Sequence, residues 1–144
     1  MSIADRFTAL APRILGATRF IVGVMFACHG AQKLFAAFGG MPAGMTIPWY
    51  IYWIAGPIEF FGGILIAIGL LTRPVAFLAS GLMAVAYFKG HAFGSGSFVF
   101  WPKVNQGELA VLYCWIFLYI AAAGPGAWAL DNLWRRHPPA EAGG

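Results

Sequence analysis

Charge is what this sequence has least of. Only 10% of its 144 residues are Asp, Glu, Lys or Arg, and five are acidic. A soluble domain carries about a quarter charged residues, so a largely water-facing surface is excluded. Cysteine is nearly as scarce: Cys28 and Cys114 are the two thiols, with no CxxC pair between them. That excludes a CxxC dithiol centre, a structural zinc and a disulfide framework, although a single Cys28–Cys114 bridge stays open. No nucleophile, haem-ligand pair or flavin motif stands out. The net charge of +4 at pH 7 and a pI near 9.4 suggest nucleic acid at first sight. Yet the basic residues fall singly at the ends of apolar runs and form no patch, which excludes that partner.

What the chain has in quantity is apolar sequence. Hydrophobic residues make up 60% of the chain, and the mean hydropathy is +0.74. The predicted fold is all-α: an integral membrane four-helix bundle in one domain over residues 1–136, with a disordered Pro- and Gly-rich tail over 137–144. The spans are expected at about 14–36, 50–71, 74–91 and 107–123. "TRP" marks a tight turn between the second and third, and "GPG" ends the fourth. Arg19, His29 and Lys33 interrupt the first apolar run, so it reads as a retained helix rather than a signal peptide. "AWALDNLWRR" reads as a short interfacial helix after the fourth span.

Arg6, Arg13, Arg73, Arg135 and Arg136 fall on one side, against Lys103 alone well inside an opposite loop. By the positive-inside rule both termini are cytoplasmic. Trp49, Tyr50, Tyr52, Trp53 and Trp101 then form an aromatic belt on the outer side.

Against this background "FACHGAQKLF" is costly, with a thiol, an imidazole, an amide and an ammonium inside a span. Gly16, Arg19, Gly23, Phe26, Gly30 and Lys33 recur at intervals of three and four, which puts them on one stripe of the helix. Tyr52, Gly56, Glu59, Gly63, Ile66 and Leu70 do the same on the second helix. Small residues let membrane helices approach closely, so ionisable groups among glycines face protein, not lipid. At a rise of about 1.5 Å per residue, His29, Lys33, Glu59, His91 and Glu108 all fall in the outer half of the bilayer. They are the candidate ligand-binding residues of a polar pocket open to the outside, with Lys33 or His29 the expected partner of Glu59. Lys89 snorkels at its rim.

Each residue also has a bland alternative. The His29, Lys33 and Glu59 cluster reads as an internal salt-bridge network as well as a ligand site. Glu108 follows Asn105 by three residues, the spacing of a capping box, and His91 sits at a helix end. His29, His91 and Glu59 are a possible two-histidine, one-carboxylate set, but no spacing motif supports a metal. Arg19, Arg73 and Asp131 are expected to form a structural clasp in the cytoplasmic half, with Asp131 pairing with Arg19 or Arg73. Pro57, just before Glu59, is expected to kink its helix. Cys28 lies opposite the glycine stripe and faces lipid or a partner subunit.

"HGAQKLF", "GPIEFFGGILIAIGLLTRPVA", "NQGELAVLY" and "GPGAWALD" occur in order, and together they resemble the DoxX family from about Arg19 to Asp131. The resemblance implies a small four-helix, multi-pass protein of the bacterial inner membrane. Family members include a membrane subunit of a thiosulfate:quinone oxidoreductase, and others are linked with quinone and catechol detoxification or thiol and superoxide defence. The family's polar positions correspond here to His29, Lys33, Glu59, Arg73, Glu108 and Asp131. The expectation is a membrane subunit of a redox system that binds quinone or quinol, or a small redox partner. It carries no covalent cofactor, lies in the lipid bilayer, and acts within a larger complex or homo-oligomer. The alternatives are a scaffold or assembly subunit, and a small-solute transporter.

Overall fold

The computed structural model describes residues 2–44 and 47–135; Arg136 and the tail expected over 137–144 lie outside the described residues. The elements are α1 (Ile3–Phe35), α2 (Gly56–Ile68), α3 (Thr72–Val85), α4 (Pro102–Asn105), α5 (Glu108–Ala123) and α6 (Asp131–Arg135). Two π-helical turns extend the long helices: Ile51–Ala55 leads into α2 and Ala86–Ala92 continues α3. Three helical runs, Ile3–Phe35, Ile51–Ile68 and Thr72–Ala92, are long and apolar enough to cross a membrane. The fourth, α5, is apolar but has 16 residues, a length of about 24 Å against a hydrocarbon core of about 30 Å. The protein is an all-α helical membrane bundle of α1, α2, α3 and α5.

Its polarity is inverted relative to a soluble bundle. Phe20, Ile21, Phe77, Leu112 and Trp115 are exposed, whereas Arg19 and Glu59 are 1% and 4% exposed. The core is aromatic: Phe26 meets Phe117 edge-on at 4.8 Å, and Tyr113 stacks on Phe117 at 5.5 Å. Ile66, Ala76, Ala79 and Ile120 close around them. α1 buries the expected stripe, Gly16, Arg19, Gly23, Phe26 and Gly30. The glycines are needed for the approach to α2. A Cβ on Gly23 would lie 2.6 Å from Ala67 N, and one on Gly63 would lie 2.6 Å from Gly23 O. Those are backbone atoms with nowhere to go, and dispersion between close backbones is what joins helices in lipid.

Several boundaries differ from the sequence expectation, each for a local reason. α1 begins at Ile3 rather than near residue 14, because Ser2 and Asp5 form a reciprocal capping box. The second span stops at Ile68, not Leu71. Gly69 (φ 73°) and Leu71 (φ 51°) take the left-handed conformation that reverses the chain. α3 starts at Thr72, so Pro74 falls in its first turn, where a missing N–H costs nothing. Among the described residues the short helix after the fourth span begins at Asp131 rather than Ala127, because Leu130 and Asp131 donate their backbone N–H groups to Ile68 O and Gly69 O. Pro57 has no N–H for the carbonyl four residues back, and the turn before it is wound as a π turn, Gly56 N reaching Ile51 O.

The residues expected to form a clasp do gather at one end, with backbone rather than one another as their main partner. Arg19 donates to Pro125 O (2.7 Å), Ile66 O (2.6 Å) and Ala67 O (2.5 Å), and at 3.3 Å to Ala127 O and Trp128 O. Arg73 donates to Ala121 O and Ala122 O at the end of α5. Asp131 accepts from Leu71 N and Thr72 N at 2.8 and 2.9 Å, capping α3, and lies within electrostatic reach of Arg19. Unpaired carbonyls at helix ends need donors, and around Arg19, 1% exposed, those must come from the protein. The flat, five-donor guanidinium supplies them where an ammonium cannot. Arg19→Lys is expected to lower stability by about 2–3 kcal/mol, read as the midpoint of denaturant unfolding in detergent; an unchanged midpoint would remove the clasp.

Candidate functional site

Two cavities meet at the end of the bundle opposite the clasp. The larger, ≈ 540 Å³, lies between α2 and α3 and is walled mostly by apolar side chains, among them Ile51, Ile54, Leu82 and Val85. The smaller, ≈ 240 Å³, lies among α1, α3 and α5 and takes in Phe26, His29 and Tyr113. Lys33, Glu59, Met83, Ala86 and His91 line both. The polar residues therefore stand on the wall that the two chambers share. Helix geometry puts them there: His29 and Lys33 are one turn apart on α1, and Glu59 follows Pro57 by two residues on α2.

Lys33 Nζ donates to Glu59 Oε2, closing an ion pair whose side chains are 14% and 5% exposed. A lone charge at mid-bilayer costs about 2.5–3.5 kcal/mol, so each side chain makes the other tolerable. The pair is not saturated. Glu59 Oε1 has no hydrogen-bond partner among the described residues, and an ammonium carries three N–H groups of which one is used here.

His91 Nδ1 lies 3.2 Å from the Asn105 carbonyl. A carbonyl only accepts, so Nδ1 carries the hydrogen and Nε2 of the neutral ring keeps a lone pair. Asn105 is itself fixed: its Nδ2 donates to Val99 O at 2.7 Å and its Oδ1 accepts from Gly107 N at 2.8 Å. Tyr87 adds a hydrogen bond to Phe100 O, so the outer loop is strapped to the end of α3. His29 has no hydrogen bond among the described residues and sets its ring edge-on to Tyr113, centroids 6.0 Å apart. Lys89 reaches the rim as expected, its Nζ 4.2 Å from the centre of the Tyr50 ring.

The structure thus brings His29, Lys33, Glu59 and His91 together and leaves Glu108 out. The Glu108 side chain is 58% exposed, 3.9 Å from Lys103, and lines neither chamber. The capping box with Asn105 does not form either. Asn105 is the last residue of α4, Gln106 turns the chain in the left-handed region (φ 60°), and Gly107 is the residue that caps α5. The Asn105 side chain instead closes a turn onto Gly107 N. No group of three His, Cys, Asp or Glu among the described residues is arranged to hold a metal, which sets aside the His29, His91 and Glu59 set. Both cysteines are free, so the Cys28–Cys114 bridge is also set aside. Cys28 lines an apolar groove between α1 and α2, and Cys114 Sγ lies 3.5 Å from Ser80 Oγ on α3.

Tyr113 is the site residue that the sequence reading passed over. It is 4% exposed and lines the inner chamber, and its hydroxyl has no hydrogen-bond partner among the described residues. Its signal was the spacing of Ala110, Tyr113, Phe117 and Ile120, the buried stripe of α5. Asn105→Ala is expected to free both the outer loop and His91, costing about 1–2 kcal/mol and raising backbone hydrogen exchange over residues 93–101. Unchanged exchange there would mean that the strap carries no load.

A family model, DoxX, matches residues 14–92, the stretch that holds His29, Lys33, Glu59 and His91. An uncharacterized protein of Haemophilus influenzae is 43% identical over 126 residues, 84% of this chain and 90% of the relative. Inner membrane protein YqjF of Escherichia coli is 28% identical over 120 residues, 80% of this chain and 87% of its own. No solved structure matches. With the helical bundle, the buried ion pair and these matches in hand, the chain belongs to the DoxX family.

Proposed function

We propose that this protein is a multi-pass subunit of the bacterial inner membrane that binds a quinone or quinol, or a related small redox partner, in the outer half of the bilayer. It works beside a catalytic protein in a larger redox complex. The inner membrane is the compartment named for the Escherichia coli relative, and the arginine-rich end faces the cytoplasm by the positive-inside rule.

One observation carries the reading: an unsaturated ion pair stands with the His91 imidazole on a wall shared by two chambers, with His29 lining the smaller of them. A purely structural pair gains nothing from two chambers beside it. Quinone carbonyls only accept hydrogen bonds, and Lys33 and the Tyr113 hydroxyl have donors to give. Quinol hydroxyls need acceptors, and Glu59 Oε1 and His91 Nε2 are free to act as such. The apolar chamber falls within the range of about 300–1,000 Å³ usual for ligand sites.

A second reading, a scaffold subunit, draws on the outer loop, where Phe93, Phe98, Phe100 and Trp101 are all exposed. It predicts that Trp101→Ala releases a partner from the natively purified complex while pocket variants do not. For the leading reading, a quinol analogue titrated against Glu59→Gln is expected to bind at least about tenfold more weakly than to the parent, or 1.4 kcal/mol. Equal affinity would take Glu59 out of the site.

A further inference from the structure

We infer that the ligand is membrane-borne and has two parts: an oxygen-bearing ring that reaches the Tyr113 hydroxyl in the inner chamber, and an apolar tail that lies in the larger chamber between α2 and α3. This rests on the quinone reading and deepens it, since a water-soluble ring alone would use the inner chamber only.

The larger chamber opens sideways, toward lipid. Ile54 and Val85 line it and are also 46% and 58% exposed, so its wall is part of the outer surface of the bundle. α2 and α3 are joined by the tight turn at Gly69–Leu71, and the chamber lies at their other end. At that end both depart from α geometry, and the π turns Ile51–Ala55 and Ala86–Ala92 each contribute to the chamber. A π turn widens a helix locally and recurs at functional sites. Gly90, on the second π turn, has open space where a Cβ would stand.

The chamber is apolar along most of its length, with Lys89 over Tyr50 at its rim and Lys33, Glu59 and His91 at its inner wall. Beyond them lies the smaller chamber with Tyr113. A buried hydroxyl without a partner is uncommon in folded proteins and calls for an explanation; among the described residues Thr72 Oγ1, at the clasp, is one. The Tyr113 hydroxyl is another, and it lies on the far side of the ion pair from the lipid-facing opening. A ligand that enters between α2 and α3 ring-first places its oxygen there and leaves its tail behind in the apolar chamber. The order of surfaces, lipid to apolar chamber to ion pair to phenol, matches a tailed ring laid along it.

The test uses the full chain in phosphatidylcholine nanodiscs, titrated with decyl-benzoquinone and with methyl-benzoquinone, which has no long tail. Affinities are corrected for the measured partition of each probe into protein-free nanodiscs. The tailed probe is expected to bind at least about tenfold tighter, Ile54→Trp to abolish that advantage while leaving the tail-less affinity within about twofold, and Tyr113→Phe to weaken both by about tenfold. Equal affinity of the two probes for the parent protein would overturn the tail chamber and leave a lipid acyl chain as its occupant. Tyr113→Phe without effect on either probe would overturn the ring's position. If neither probe binds the parent at all, the quinone reading falls with this one, whereas tight binding of the tail-less probe alone sinks only the proposal made here.

Discussion

In hydrocarbon, a polar group must find its partner inside the protein, because no water will serve it. That constraint orders this molecule from end to end. Arg19 and Lys33 lie on one stripe of α1, about four turns apart, and each is satisfied in a different way. Arg19 spreads its guanidinium over carbonyls from α2 and the loop after α5, which ties three chain segments at one point. Lys33 meets an opposite charge, Glu59, and nothing more. The first arrangement is full, each guanidinium nitrogen donating to at least one carbonyl. The second is left with donors and an acceptor to spare, and two chambers open beside it.

The packing divides along the same line. α1 and α2 touch backbone to backbone through Gly23, Gly30 and Gly63, a contact too close to admit a ligand. α3 and α5 hold together through Ala76, Ala79, Phe117 and Ile120, with Ser80 Oγ donating to the Cys114 carbonyl at 2.8 Å. Between the two pairs the seam is tight at the Asp131 cap and open at the far end. The π turns are there because Pro57 withholds a hydrogen bond on one side and because the helix on the other side must turn His91 toward the Asn105 carbonyl.

Much of this was legible in the residues. The intervals of Gly16, Arg19, Gly23, Phe26, Gly30 and Lys33 specify a stripe whatever surrounds them, because helix period alone decides which side chains share a face. The meeting of Lys33 with Glu59 followed from the expense of leaving either alone in lipid. Glu108 opens α5 where the sequence put it, but its side chain turns outward toward Lys103, a direction that position along a helix does not fix. Tyr113 escaped because a tyrosine in a membrane helix reads as packing or as an interfacial anchor, and its lack of a hydrogen-bond partner exists only in three dimensions. The start of α1 was written plainly in Ser2 and Asp5, but hydropathy reports the apolar stretch and not the helix that extends past it. Arg19 was placed correctly and partnered incompletely, since backbone carbonyls carry no letter in a sequence.

The account stands on the Lys33–Glu59 pair as the hinge between fold and site. A double-mutant cycle in detergent, with Lys33→Met, Glu59→Leu and the two combined, measures that interaction directly. Each single change strands a buried charge and is expected to cost about 3–5 kcal/mol, while the combination recovers much of the loss and gives a coupling of at least about 2 kcal/mol. Additive losses, with coupling near zero, would mean that the two groups do not meet, and the site built around them would have no centre.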